Sequence, residues 1–145
     1  MNRFLNGISA VIAVLCACTF ISCDGKEDIP VIEYKDVTAN NLRGEWELVS
    51  INGEPMEEGT FFHITFITKD TEYVIEHNLS SSSSSSYIEK GVFGIETDDN
   101  GALIRGINVV FQNWSQKYYV RDLTDSSMKW VGKTDGEVKI FRRIK

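Results

Sequence analysis

The chain has three cysteines, and all of them lie within its first 23 residues. Residues 24–145 therefore contain no thiol, which excludes a disulfide or a cysteine-ligated metal in that part. The only histidines are His63 and His77, and we expect both to be solvated. Since an activated nucleophile needs a positioned base, we predict no enzyme. We also predict no bound metal or cofactor, because residues 98–100 (Asp-Asp-Asn) lack the remaining ligands of a calcium loop at their spacing. The domain must be held together by packing alone.

Positive charge is also scarce, with 15 Lys and Arg residues against 21 Asp and Glu and a net charge of −6 at pH 7. An acidic surface does not attract a phosphate backbone, so nucleic acid is not expected as a partner. Acidity also keeps the chain from adsorbing to an anionic lipid surface by its own charge. Any attachment to a membrane must therefore come from a separate anchor.

The N-terminal residues have the pattern of an export signal that ends in a cysteine. Arg3 precedes an apolar run over residues 8–21, which is too short to span a membrane, and Cys23 follows the small residue Ser22. A cysteine at this point accepts diacylglycerol in bacterial lipoprotein signals. We therefore predict a signal peptide over residues 1–22 and a palmitate-type lipid anchor on Cys23. The expected location is the outer membrane of a bacterial cell envelope, with exposure at the cell surface as one option.

Cys18 competes with Cys23 as the lipid acceptor. Polar residues follow Cys23 at once, whereas apolar residues follow Cys18, and this favours Cys23. We predict a flexible lipidated tether over residues 23–35 and one domain over residues 36–145. Within the tether, residues 26–28 (Lys-Glu-Asp) are explained equally well as a surface-export signal or as a solvated linker.

Alternation of apolar and polar residues predicts strands through almost all of the domain. A short helical turn over residues 37–42, capped by Asp36 or Thr38, comes first. Residues 80–86 are seven consecutive serines, which cannot bury apolar area, and we expect a mobile loop there. The predicted strands cover residues 44–51, 60–67, 72–77, 87–97, 102–112, 117–123, 128–133 and 138–144.

The short links between these strands define the expected fold. An open meander leaves two unpaired edges, whereas pairing of the first and last strands removes them. We therefore predict an all-β fold, an eight-stranded antiparallel up-and-down barrel, with an open sandwich as the alternative. The interior of such a barrel is either filled by side chains or holds one small ligand.

Several segments resemble a known family. Residues 42–48 (Leu-Arg-Gly-Glu-Trp-Glu-Leu) resemble the Gly-x-Trp opening of lipocalins, and residues 118–143 resemble the closing strands of small bacterial lipocalin-like domains found on envelope lipoproteins. The resemblance implies a calycin-type barrel. It also implies that Trp46 closes the barrel floor and that Arg143, or else Arg142, packs across its ring.

Aromatic residues form the candidate binding set. They either fill the core alone, or part of the set lines an apolar cup whose polar anchor is Arg105 or Tyr118. Trp114 is expected at the surface as a contact or half-buried at the rim. We predict a small apolar or amphipathic ligand, or alternatively a filled barrel that presents its loops to a protein partner in an outer-membrane complex. The residues expected to line the cup are Phe66, Tyr73, Phe93, Arg105, Phe111, Tyr118 and Trp130.

The variant Cys23→Ala should leave the precursor without its lipid and release the chain from membranes, because the thiol is the acceptor. Labelling cells with radioactive palmitate and fractionating the membranes measures both effects. Cys18→Ala is the matched control and should keep the label. Label that survives in Cys23→Ala and disappears in Cys18→Ala would move the acceptor to Cys18.

Overall fold

Alternating apolar and polar residues form strands from Gly44 almost to the C-terminus. The structure is a computed structural model that describes residues 31–107, 114 and 116–145. The signal peptide, Cys18, Cys23 and Phe111 lie outside the described residues. The elements are α1 (Ala39–Leu42), β1 (Gly44–Ile51), β2 (Glu54–Pro55), β3 (Phe61–Ile67), a 3-10 turn (Lys69–Thr71), β4 (Glu72–Asn78), β5 (Tyr87–Asp98), β6 (Gly101–Ile107), β7 (Tyr118–Arg121), β8 (Ser127–Gly132) and β9 (Val138–Arg143).

The strands close into a barrel. β1 pairs with β3, each later strand pairs antiparallel with the next one along the chain, and β9 returns to pair with β1. The two-residue strand β2 pairs only with the end of β1 and lies outside this ring of eight. The predicted eight-stranded up-and-down barrel is therefore confirmed, and the open sandwich is wrong.

Local signals explain where several elements end. Thr38 caps α1, since its hydroxyl accepts a hydrogen bond of 3.1 Å from the backbone N–H of Asn41. β7 stops at Arg121, earlier than predicted, because Asp122 adopts a left-handed conformation with φ of 50°. Strand β6 is described to Ile107, and the rest of its predicted range lies outside the described residues. Within the described ranges, no helix is long and apolar enough to cross a membrane.

The up-and-down order gives the barrel two different ends. Helix α1 and the links β3–β4, β5–β6 and β7–β8 lie at one end, which we call the closed end, where Leu42 of α1 is fully buried. The links that follow β1, β4, β6 and β8 lie at the other end, which we call the open end. The chain reaches the domain at the closed end, because the backbone N–H of Lys35 donates to the carbonyl of Leu123 at 2.7 Å.

Trp46 and Arg143 form the floor at the closed end. Trp46 is fully buried, its indole N–H donates to the carbonyl of Leu42 at 2.8 Å, and the guanidinium carbon of Arg143 lies 4.0 Å from its ring centroid. Arg143 also donates to the carbonyls of Asn41 at 2.8 Å and Asp125 at 2.7 Å. Arg142 instead points outward and pairs with Glu47. Of the two arginines, Arg143 therefore occupies the place over the ring.

Gly44 is required next to this floor. Its φ of +123° is a conformation that side chains strongly disfavour, and a Cβ there would collide with the carbonyl oxygen of Lys145. The same residue lets β1 and the C-terminus approach, since the N–H of Glu45 donates to Lys145 at 2.8 Å. The glycine of the Gly-x-Trp sequence thus serves the closure of the barrel.

The variant Trp46→Ala should lower the free energy of unfolding by about 3–5 kcal/mol, because it removes a large buried ring and the surface beneath Arg143. Urea denaturation followed by circular dichroism measures the change. Val49→Ala, at an exposed position of the same strand, should cost less than about 1 kcal/mol. Equal losses in the two variants would contradict the role given to Trp46.

Candidate binding site in the barrel interior

Aromatic rings pack against one another through the middle of the barrel. Trp130 lies at the centre of this set, and its neighbours come from β3, β7, β9 and the β6–β7 link. The contacts between ring centroids are Phe66–Phe93 at 5.0 Å, Phe66–Trp114 at 6.2 Å, Tyr73–Trp114 at 4.7 Å, Trp114–Trp130 at 5.3 Å, Tyr118–Trp130 at 5.1 Å and Trp130–Phe141 at 4.7 Å. The described interior is thus a continuous aromatic cluster.

Five of the residues predicted to line the cup belong to this interior cluster. They are at most 3% exposed and come from five different strands: Phe66, Tyr73, Phe93, Tyr118 and Trp130. The structure therefore brings them together, as the alternation along the strands predicted.

Arg105 does not share that place, which corrects the expected polar anchor. It pairs across the sheet with Gly94, whereas the neighbouring inward residue Phe93 pairs with Gly106. Its Nε lies 2.6 Å from Oε1 of Glu96, and Lys117 donates to the other carboxylate oxygen, Oε2, at 2.6 Å. These contacts, above all the hydrogen bond from Lys117, lower the pKa of Glu96. Arg105 therefore belongs to an ion-pair network on the outer face.

Trp114 is buried inside the barrel, which corrects its expected position at the surface or rim. The side chain is only 5% exposed and contacts the rings of Tyr73, Phe66 and Trp130. It comes from the β6–β7 link rather than from a strand, so no alternation in the sequence indicated where it points. Its burial brings a third tryptophan into the interior.

A buried carboxylate, which sequence reasoning missed, lies within the same interior. Glu89 is 4% exposed, and the hydroxyl of Tyr73 donates to its Oε1 at 2.7 Å. The ring of Tyr73 reaches it by lying across Gly91, where any Cβ would come within 2.8 Å of the ring. Glu89 lies four residues before Phe93 on β5 and therefore on the same inward face. This spacing was the signal in the sequence that could have predicted its burial. Burial, together with the hydrogen bond and charge of Glu89, raises the pKa of Tyr73.

Two buried indole N–H groups have no acceptor among the described residues. Neither Trp114 Nε1 nor Trp130 Nε1 has a hydrogen-bond partner in the described part of the chain. An unsatisfied buried donor costs on the order of 1–3 kcal/mol. The interior therefore contains donors that an oxygen atom of a bound molecule would satisfy.

A second polar group lies inside the barrel near the open end. Lys139 faces inward beside Trp130, and its Nζ is 2.9 Å from both the Tyr118 hydroxyl and a carboxylate oxygen of Glu137. Burial acts to lower the pKa of Lys139, but the hydrogen bonds to Tyr118 and Glu137 outweigh it and the pKa is raised. Lys139 therefore stays charged and has its own carboxylate.

Three rings stack at the open end itself. His77 lies between Phe62 and Tyr87, with centroid distances of 6.1 and 5.6 Å and interplanar angles of 25° and 23°. His77 is half-buried, so the expectation that it is simply solvated is wrong. Tyr87 of this stack is 63% exposed, and Leu79, at the end of the neighbouring strand β4, is 52% exposed. The open end therefore has an aromatic wall and an apolar rim.

The serine-rich link is tied to that rim. The amide of Asn78, which is buried, donates to the carbonyl of Ser83 at 2.6 Å, and its oxygen accepts from the N–H of Ser80 at 3.1 Å. Ser81 donates to the carboxylate of Glu57 at 2.7 Å. The Ser81–Glu57 hydrogen bond thus joins two links of the open end, while the bonds of Asn78 hold the serine-rich link to the end of β4.

Comparison with known proteins bears on the fold. No family model matches the chain, and no curated protein matches it. Among solved structures, the chain is similar to Japanin from Rhipicephalus appendiculatus, a lipocalin solved bound to cholesterol in an orthorhombic crystal form. The TM-score is 0.51 and the identity 9%, over 76% of this chain and 80% of that one. The fold of this chain is therefore lipocalin-like.

Loss of the buried hydroxyl in Tyr73→Phe should lower the free energy of unfolding by about 1–3 kcal/mol at neutral pH. Because the folded state raises the pKa of Tyr73, this contribution is complete below the ordinary tyrosine pKa of about 10 and shrinks as the pH rises above it. Urea denaturation of both proteins between pH 8 and 11 measures the difference. The exposed control Tyr34→Phe should have the stability of the wild type at neutral pH. If the loss of stability in Tyr73→Phe does not change with pH, the raised pKa of Tyr73 is contradicted.

Proposed function

We propose that this chain is a lipid-anchored, non-enzymatic protein of the bacterial cell envelope whose barrel binds a small amphipathic ligand from its open end. The observation that carries the proposal is the buried Tyr73–Glu89 pair inside an aromatic barrel. A core that only had to be filled gains nothing from a buried carboxylate, since burying charge is costly. A site for a ligand with one polar end needs such a group.

The open end offers the matching apolar surface. Glu89 lies two residues further along β5 than Tyr87, on the same face and about 7 Å away along the strand. A ligand whose polar end is at Glu89 would therefore extend past the stack of Phe62, His77 and Tyr87 to the exposed rim. Pockets of this kind combine apolar walls with a few convergent polar groups.

The predicted anchor is compatible with access to that end. Lipidation of Cys23 would attach the chain to the membrane through a tether. The tether joins the domain at the closed end, where Lys35 pairs with Asp125 at 2.5 Å. From Cys23 to Lys35 the chain spans at most about 40 Å when extended. Under this proposal, the tether joins the domain at the end opposite the ligand opening.

Japanin, whose fold is similar, was solved bound to cholesterol. A fold that accommodates a small apolar molecule in that protein supports, by analogy, a small amphipathic ligand here.

One observation favours a second function, that of a partner-binding subunit. The aromatic cluster is continuous through the described interior, and a filled barrel would leave its loops and rim as the working surface. Exposed Leu79 and Ile88 would then form part of a protein contact. Binding of a small probe at the open end distinguishes the two functions.

The neutral probe 1-octanol should bind to the protein isolated from membranes and reconstituted in phosphatidylcholine nanodiscs, with empty nanodiscs as the background. Tyr87→Ala should weaken this binding about fivefold, because it removes a ring from the rim of the opening. Isothermal titration calorimetry measures the dissociation constants. Tyr34→Ala is the matched control, since Tyr34 is 61% exposed but lies near the closed end, and it should leave the affinity unchanged.

The same titration decides against the proposal if octanol gives no more heat with the protein than with empty nanodiscs. Binding that Tyr34→Ala and Tyr87→Ala weaken equally would place the probe elsewhere on the surface. Either result would favour the partner-binding function.

A further inference from the structure

A polar pocket of about 290 Å³ lies at the closed end of the barrel, and we call it the closed-end pocket. It is formed by the end of the tether, α1, the β7–β8 link and β9. The side chains that line it are Lys35, Asn40, Asn41, Arg43, Asp125 and Arg143. Three of them are cationic and one is anionic, so positive charge is in excess here although the chain as a whole carries −6.

Contacts within the closed-end pocket leave its arginines without an anion. Lys35 pairs with Asp125 at 2.5 Å, which matches the one acid of the pocket. Arg143 uses three of its five N–H groups, and all three acceptors are neutral backbone carbonyls, those of Asn41, Arg43 and Asp125. Arg43 is exposed, and within the described ranges its side chain pairs with no acid. Two guanidinium groups therefore have donors to offer to an oxyanion.

The electrostatics of the two arginines favour an anion between them. Burial lowers the pKa of Arg143, and the positive charge of Arg43 lowers it further, while Asp125 acts in the opposite direction. An anion bound to both guanidinium groups would offset their repulsion. Guanidinium groups match the oxygens of a phosphate, which they bind through pairs of parallel hydrogen bonds.

Exposed apolar side chains beside the pocket indicate a lipid rather than a free phosphate ion. In the segment that leads to Lys35, Val31 is 93%, Ile32 62% and Tyr34 61% exposed. Ile32 also lines a groove with Asp125, so this apolar segment adjoins the closed-end pocket. Aliphatic and tyrosine side chains favour the membrane–water interface. A free ion would leave them in water, whereas a phospholipid offers an apolar layer beneath its phosphate.

Docking on a membrane needs a specific site in this chain, because the net charge of −6 opposes general adsorption to anionic lipid. The closed-end pocket is such a site. Glu33 and Asp36 lie near Lys35 in the sequence, but they are exposed and do not line the pocket. The tether allows this contact, since the predicted anchor at Cys23 is only 12 residues from Lys35.

We propose that the closed-end pocket binds the phosphate of an anionic phospholipid headgroup and docks the closed end on the membrane surface. The phosphate accepts hydrogen bonds from Arg43 and Arg143, while Ile32 and Tyr34 enter the interface. This inference rests on the lipid anchor of the proposed function but not on a ligand in the barrel. Docking at the closed end turns the open end away from the bilayer.

A fluorophore attached at Ser126→Cys reports the docking. Ser126 is exposed in the β7–β8 link next to the pocket, and residues 24–145 contain no other thiol. The labelled protein is reconstituted in phosphatidylcholine nanodiscs with or without added phosphatidylglycerol, and both kinds contain the same trace of lipid with a spin-labelled headgroup. The spin label quenches a fluorophore that lies at the headgroups. Phosphatidylglycerol should increase the quenching at least about threefold.

Two variants with the same change of charge locate the effect. Arg43→Glu should abolish the increase, because it places an anion in the closed-end pocket. Lys69→Glu is the matched control, since Lys69 is exposed in the β3–β4 link at the same end but does not line the pocket, and it should keep the increase. Calorimetric titration of the protein in phosphatidylcholine nanodiscs with inorganic phosphate tests the free ion as the alternative ligand.

Each outcome decides a different question. If phosphatidylglycerol does not increase the quenching, docking on lipid is overturned, and inorganic phosphate that binds the wild type but not Arg43→Glu would then assign the pocket to the free ion. An increase that Lys69→Glu loses as fully as Arg43→Glu is general surface charge, and the role of the pocket is overturned. A chain that is not retained by nanodiscs has no anchor, so the proposed location and this inference fail together. The comparison of lipids in the wild type decides docking even if Arg43→Glu does not fold.

Discussion

The pairing of β1 with β9 is the constraint on which the rest of the structure depends. It converts a meander with two free edges into a closed barrel. Trp46 and Arg143 face each other across this seam, and the guanidinium group also donates to carbonyls of Asn41 and Asp125. One side chain thereby links the last strand to the first strand, to the end of α1 and to the β7–β8 link. In a domain without thiols, this packing replaces the covalent restraint that a disulfide would give.

Closure also determines what the interior can contain. Side chains that face inward lose water, so apolar ones stabilise the barrel and polar ones need partners. The floor is sealed at the closed end by Trp46 and α1, and two polar pairs, Tyr73–Glu89 and Lys139–Glu137, take inward positions that apolar side chains could otherwise fill. Each polar side chain of these pairs has a hydrogen-bond or ion-pair partner, as burial requires.

Prediction from sequence succeeded where a pattern had one physical cause. The strands follow from alternation, and Trp46 was found through the resemblance of residues 42–48 to the Gly-x-Trp opening of lipocalins. In the structure, the glycine of that sequence allows the close approach of the C-terminus. Arg105 was misplaced because β6 has apolar residues on both faces: Leu103 is 2% and Ile104 0% exposed, so alternation cannot give the strand's orientation. Trp114 was misplaced because it lies in a link, where side-chain direction has no fixed period.

The Tyr73–Glu89 pair combines two unfavourable features at one place. Glycine inside a strand weakens it, and Gly91 leaves the space that the ring of Tyr73 occupies. A buried carboxylate is often matched or surpassed in stability by an apolar side chain of similar volume. A barrel that needed only a filled core would therefore be more stable with apolar residues at positions 89 and 91. The lower stability is explained if Glu89 binds the ligand proposed above, because the pair is then selected for binding rather than for folding.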